Sequence, residues 1–85
     1  MRIVFSKTFE KDYKKLPIKI QKLLDEQLLM LLENYKYPSL RIKKMQGHDS
    51  IWEGRITQSY RFTFEKRDNT YFLRRAGTHP VLNNP

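Results

Sequence analysis

Two arginines and a histidine late in the chain carry the side chains that phosphate chemistry needs. Arg61 lies in YRFTFEK, and Arg75 and His79 lie in LRRAGTHP. A guanidinium presents fixed, planar donors matched to phosphate oxygens. An imidazole titrates near neutrality and can hand over a proton. Lys43 and Lys44 add cationic charge in the stretch before, and the indole of Trp52 offers a face for a splayed base. Together these residue types suit cleavage of an RNA phosphodiester. The 2′-hydroxyl loses a proton, the phosphorane carries extra negative charge, and the departing 5′-oxygen takes up a proton. Each residue alone also has a plainer reading. Arg61 can be a solvated strand residue, Arg75 an ion-pair partner, His79 a turn residue before Pro80, and His48 an exposed loop histidine. It is their convergence on neighbouring strands that favours chemistry.

Strand periodicity sharpens the set. In YRFTFEK, Tyr60, Phe62 and Phe64 point one way and Arg61, Thr63 and Glu65 the other. The aromatic row is expected to meet the core, leaving Arg61 on the open face. In TYFLRRAGTH, residues Tyr71, Leu73, Arg75, Gly77 and His79 share one parity if the strand runs that far without a bulge. Arg75 and His79 then lie on one line, with Gly77 leaving open space between them. Arg74 falls on the opposite parity.

Other chemistries fit less well. The chain has no cysteine, so thiol nucleophiles, disulfides and thiolate zinc sites are excluded. Its three glycines stand apart and make no phosphate-cradling loop. Asp49, Glu53, Glu65 and Asp68 are scattered, and two histidines form no ligand motif, so neither a metal nor a cofactor is expected.

The elements that must position these residues are legible in outline. Eighty-five residues suit one domain, 1–85. MRIVF reads as a first strand. Ser6 is a plausible N-cap for a helix whose Phe9, Tyr13 and Leu16 form one stripe. Pro17 ends that helix and opens a second over roughly 18–35, with Ile20, Leu24, Leu28, Leu31 and Tyr35 on one face. Leu29 and Met30 fall on its flank, as core-edge residues or part of a partner patch. KYPS breaks helicity. RIKKM, IWEGRIT, YRFTFEK and TYFLRRAG then read as strands, joined by the short turns QGHDS, TQS and RDN. The expected fold is α+β, in the order β-α-α-β-β-β-β. Two N-terminal helices pack on a small, twisted, mostly antiparallel sheet.

Formal net charge is +8, and its excess is uneven. Residues 1–35 hold seven Lys/Arg against five Asp/Glu, whereas residues 36–85 hold ten against four. Such a field favours a polyanion or an acidic protein partner. No stretch suits a bilayer span or a secretory signal, so a cytoplasmic protein that needs no membrane is the expectation.

The pieces FEKDYKKLP, KKMQG, IWEGRIT, YRFTF and LRRAGTHPVL together resemble the RelE/ParE superfamily of toxin–antitoxin toxins. The resemblance is closer to its RelE/YafQ-type branch, and it covers nearly the whole chain. It implies a RelE-like fold and metal-free endonucleolysis of mRNA in the ribosomal A site. A cognate antitoxin protein would neutralise the activity. Matched by position, His79 corresponds to a catalytic histidine, Arg75 to an arginine four residues before it, and Arg61 to an arginine on the scissile phosphate. Lys43, Lys44, His48, Trp52, Glu53 and Arg55 are implied to contact RNA, with His48 and Glu53 also possible base or orienting groups. The ParE-like branch, which inhibits DNA gyrase without cleaving RNA, is the alternative. Pro80 departs from the small or acidic residue usual after the histidine, and it is expected to hold His79 in extended geometry.

Overall fold

A computed structural model describes residues 1–85. The chain runs through β1 (Arg2–Phe5), α1 (Lys7–Lys15), α2 (Ile18–Glu33) and a 3-10 turn at Pro38–Leu40. Then come β2 (Lys43–Lys44), β3 (Trp52–Arg55), β4 (Arg61–Arg67), β5 (Thr70–Gly77) and α3 (His79–Asn83). The five strands form one sheet in the order β1-β5-β4-β3-β2. β1 runs parallel to β5, and every other pair is antiparallel.

Ser6 caps α1 as its residue type suggests: its hydroxyl accepts from the Phe9 amide at 3.0 Å and donates to the Arg74 carbonyl at 3.1 Å. One side chain thus ends the loop from β1 and ties it to β5. Pro17 separates the two helices, and its fixed φ suits a helix entrance. Gln21 Nε2 donates to the Tyr13 carbonyl at 2.7 Å, and the Tyr13 hydroxyl reaches Asp25, so the hairpin is stitched by side chains. α2 ends at Glu33, two residues earlier than its apolar spacing predicts, because Asn34 is extended. Of the flank pair, Met30 packs on the core edge and Leu29 stays exposed.

The core joins Phe9, Leu24, Leu28 and Leu31 of the helices to Phe62, Phe64, Tyr71, Leu73 and Ala76 of the sheet. On β4 the alternation falls as expected, with Phe62 and Phe64 buried and Arg61 on the other side. Phe62 lies over Gly54, where an added Cβ would sit 2.3 Å from the ring. Glycine is required there so that the ring can lie on the backbone of β3. The β4–β5 hairpin closes with Asp68–Asn69 between the paired Arg67 and Thr70. Asp68 takes φ +54°, a left-handed conformation that aspartate tolerates better than most residues.

Two expectations change. First, β5 carries a bulge: Thr63 pairs with Arg75 but Phe64 pairs with Leu73, so Arg74 is an extra residue. The single parity drawn from Tyr71 to His79 is broken at that point. Tyr71, Leu73 and Ala76 all face the core. Second, the strand stops at Gly77 and His79 starts α3, with Pro80 in its first turn. A first-turn proline loses no helical hydrogen bond, so Pro80 opens a short helix here instead of holding His79 extended.

Candidate active site

Arg61 is the first residue of β4, opposite Arg55 on β3 and Gly77 on β5. The preceding turn is shaped by Thr57, whose hydroxyl accepts from the amides of Ser59 at 3.2 Å and Tyr60 at 3.1 Å. That turn aims its carbonyls inward. Arg61 Nη1 donates to the carbonyls of Thr57, Gln58 and Tyr60, and Nε lies 3.6 Å from Glu53 Oε2. With its side chain only 19% exposed, Arg61 is a fixed guanidinium, not a solvated one. Its carbonyl bonds all come from Nη1.

His79 sits across from it. Gly77, opposite Arg61, ends β5, and Thr78 turns the chain so that His79 begins α3. Gln58, Ser59, Arg61, Thr78, His79 and Leu82 line one recess of about 250 Å³. The recess therefore pairs a fixed cationic donor with an exposed imidazole, and hydroxyls line its rim. Gln58, Ser59, Thr78 and Leu82 were not singled out from sequence. For the first three, the signal was adjacency to Arg61 or His79 in a tight turn.

Glu53 is 6% exposed and lies between two cations: Lys43 Nζ is 3.4 Å from Oε1, and Arg61 Nε approaches Oε2. The cross-strand row Lys43–Glu53–Thr63 puts Lys43 and Glu53 on the same face as Arg61. Arg55 shares that face and pairs directly with Arg61. Burial pushes the Arg55 guanidinium pKa down from its ordinary value, and the nearby charges of Arg61 and then Arg41 push the same way, with Glu53 opposing. The Nε of Arg55 and the hydroxyl of Thr63 are buried without a hydrogen-bond partner.

Several expected members are elsewhere. Arg75 does not join the recess: it pairs with Thr63 past the end of β1, and its side chain reaches α1. Its Nε lies 2.7 Å from Asp12 Oδ2 and its Nη2 3.4 Å from Oδ1, while Nη1 donates to the Asn84 carbonyl at 3.1 Å. The hydrogen bond to Asp12 raises the Arg75 pKa, with burial opposing. Arg75 lines a separate recess with Ser6, Thr8, Arg74, Asn84 and Pro85. Trp52 and Lys44 form a cross-strand pair on the helix side of the sheet. The Trp52 indole lines an aromatic recess with Tyr35, Ile42, Phe64, Lys66 and Tyr71, so it does not face the imidazole. His48 is exposed in the β2–β3 turn, its amide bonded to the Met45 carbonyl at 3.2 Å. No three histidine, aspartate or glutamate side chains converge on a cation position. No helix is long and apolar enough to cross a membrane.

A two-helix hairpin on a five-stranded sheet with a cationic end defines a known class: the chain has the fold of the RelE/ParE superfamily of toxin–antitoxin toxins. Among solved structures, it is similar to a chain of the RelB–RelE antitoxin–toxin complex from Methanococcus jannaschii. The TM-score is 0.77 at 25% identity, over 95% of both chains. A copper-bound mutant toxin from Helicobacter pylori superposes with TM-score 0.82 at 23% identity, over 96% of this chain and 98% of that one. YafQ from E. coli gives 0.80 at 18%, over 94% of each. No family model and no curated protein sequence matches the chain.

Proposed function

We propose that this protein is the toxin of a toxin–antitoxin pair, acting in the cytoplasm as a metal-free endoribonuclease on mRNA in the ribosomal A site. The observation that carries the reading is the recess shared by Arg61 and His79, residues of different elements brought together by the end of β5. The 2′-hydroxyl gives its proton to solvent water as its oxygen attacks phosphorus, the bond to the 5′-oxygen breaks, and a 2′,3′-cyclic phosphate and a 5′-hydroxyl result. Arg61 stabilises the phosphorane charge, since its geometry is set before substrate arrives. His79, protonated at the start, gives its proton to the 5′-oxygen. Glu53 orients Arg61 through Nε. Lys43 and Arg55, on the same face, attract the flanking RNA backbone. Lys44, His48 and Trp52 lie outside this recess. Arg75 acts as a positioning residue through Asp12 and Asn84. The charge of +8 suits an acidic antitoxin as the neutralising partner.

The test is primer extension on mRNA in a cell-free translation reaction. Wild type gives discrete cuts. His79→Ala loses about 10²–10⁴-fold in rate, the usual worth of a general acid, and Arg61→Ala loses about 10²–10³-fold, as for a transition-state donor. Cutting by both variants at the wild-type rate removes the assignment. Trapping of gyrase–DNA complexes by wild type and His79→Ala alike would replace it with a non-enzymatic toxin.

A further inference from the structure

The Arg55–Arg61 pair is an unfavourable arrangement as it stands. Two arginines face each other directly across β3 and β4, where like charges destabilise a sheet. A third arginine is brought beside them by Gln27. Its Nε2 donates to the Arg55 carbonyl at 2.7 Å and to the Ser39 carbonyl at 3.2 Å, pinning the 3-10 turn against the end of β3. Arg41 follows that turn directly in a left-handed conformation, φ 47° and ψ 48°. After burial and Arg61, its charge adds to the lowering of the Arg55 pKa.

Only Arg61 of the three has a carboxylate partner. Neither Arg41 nor Arg55 takes part in any of the four ion pairs. The carboxylate nearest the cluster, Glu53, is already shared between Lys43 and Arg61. Arg55 Nε is buried with no acceptor. A buried, unpaired donor on a cation costs stability, and a fold keeps such a group where a ligand completes it. The geometry suits a tetrahedral oxyanion, which can accept from more than one guanidinium at once.

We infer that Arg41 and Arg55, beside Arg61, form a second phosphate seat, which holds the RNA phosphate next to the one that is cut. This rests on the ribonuclease reading above and extends it: the substrate is engaged at two successive phosphates, with Arg61 standing between the two seats. Arg41 thereby becomes an RNA-binding residue, although it lies outside the strands that carry the others. A phosphate is favoured over an acidic protein segment because Arg55 pairs directly with Arg61, which lines the recess that holds His79.

The experiment measures binding apart from cutting. A fully 2′-O-methylated single-stranded oligonucleotide, which lacks the attacking hydroxyl, is titrated against wild type and the Arg41→Gln/Arg55→Gln double variant over a range of KCl. One lost phosphate contact on a single strand lowers the slope of log K against log[salt] by about 0.7. The double variant is expected to show that loss and to bind about ten-fold more weakly at low salt. In salt-poor buffer without oligonucleotide it melts no lower than wild type, since it sheds a like-charge contact. An unchanged slope in the well-folded double variant overturns the inference. So does a poly-glutamate peptide that binds wild type, but not the double variant, while oligonucleotide binding is equal in both. If the slope falls but mRNA is never cut by wild type, the seat stands and the ribonuclease reading fails.

Discussion

Replacing Asp12 by alanine tests the placement of Arg75 most directly. Asp12 accepts from Arg75 Nε at 2.7 Å and Nη2 at 3.4 Å, and from the Ala76 amide at 3.1 Å. Its side chain is 12% exposed and that of Arg75 27% exposed, between the surface and buried limits. A fully exposed pair is worth about 0–1 kcal/mol and a broken buried pair costs about 3–5 kcal/mol. The Ala76 amide adds about 1–3 kcal/mol if it is left dry. About 3 kcal/mol is therefore expected for Asp12→Ala, or a fall in Tm of about 12–24 °C for a domain of this size. Asp12→Asn keeps a neutral acceptor for Ala76 and loses about half as much. Thermal unfolding of Asp12→Ala, Arg75→Gln and the double variant gives the coupling directly, expected at about 1.5 kcal/mol. In the cleavage assay the two single variants lower activity together, and the double variant is no worse than either. A change below 0.5 kcal/mol for Asp12→Ala, or coupling near zero, refutes the clasp. Loss of cutting in Arg75→Gln with full cutting in Asp12→Ala refutes the positioning role and returns Arg75 to the substrate.

Three further outcomes follow from the same structure. Gly54→Ala places a methyl group within the Phe62 ring and destabilises by at least about 1–3 kcal/mol, read by denaturant midpoint. Ser6→Ala removes both the α1 cap and the tie to Arg74, costing about 1–2 kcal/mol, while Ser6→Asn recovers the cap part. Tyr13 and Tyr71 both have phenol pKa values raised, chiefly by burial, with Asp25 adding at Tyr13 and Tyr35 at Tyr71. A raised phenol pKa favours the protonated form in the folded state. The stability it supports is full below about pH 10, the ordinary value, and falls as pH climbs beyond it. Tyrosinate absorbance should accordingly rise in two stages, the later one coinciding with unfolding.

The helical hairpin and the β4 alternation were readable because each rests on local periodicity. Phe9, Tyr13 and Leu16 could only form a stripe on a helix, and Phe62 and Phe64 could only share a face on a strand. Ser6 announced its cap by residue type. The partner of β1 was not readable, since parallel pairing with β5 links residues nearly seventy positions apart. The bulge was equally hidden. LRRAG has no residue that marks an inserted position, and only the pairing with Thr63 and Phe64 shows where the count slips. That slip separated Arg75 from the parity of Tyr71 and Leu73, and the end of β5 at Gly77 took His79 out of the line with Arg75. The side of Trp52 was hidden for another reason: an indole beside lysines suits a stacked base and a core edge equally, and only its pairing with Phe64 places it on the helix side.

The bulge at Arg74 also divides β5 mechanically. Residues Thr70–Leu73 are held on both sides, by β1 and by β4. Beyond it, β1 has ended, and the outer edge is held at the Ala76 amide by a single carboxylate from α1. The stretch that carries Gly77 to the recess is therefore strand-paired on one side only, with β4, while Ala76 still packs in the core. In hydrogen exchange this gives two populations along one strand. The amides before Arg74 exchange only with global unfolding, and those after it by a local opening whose frequency Asp12 sets.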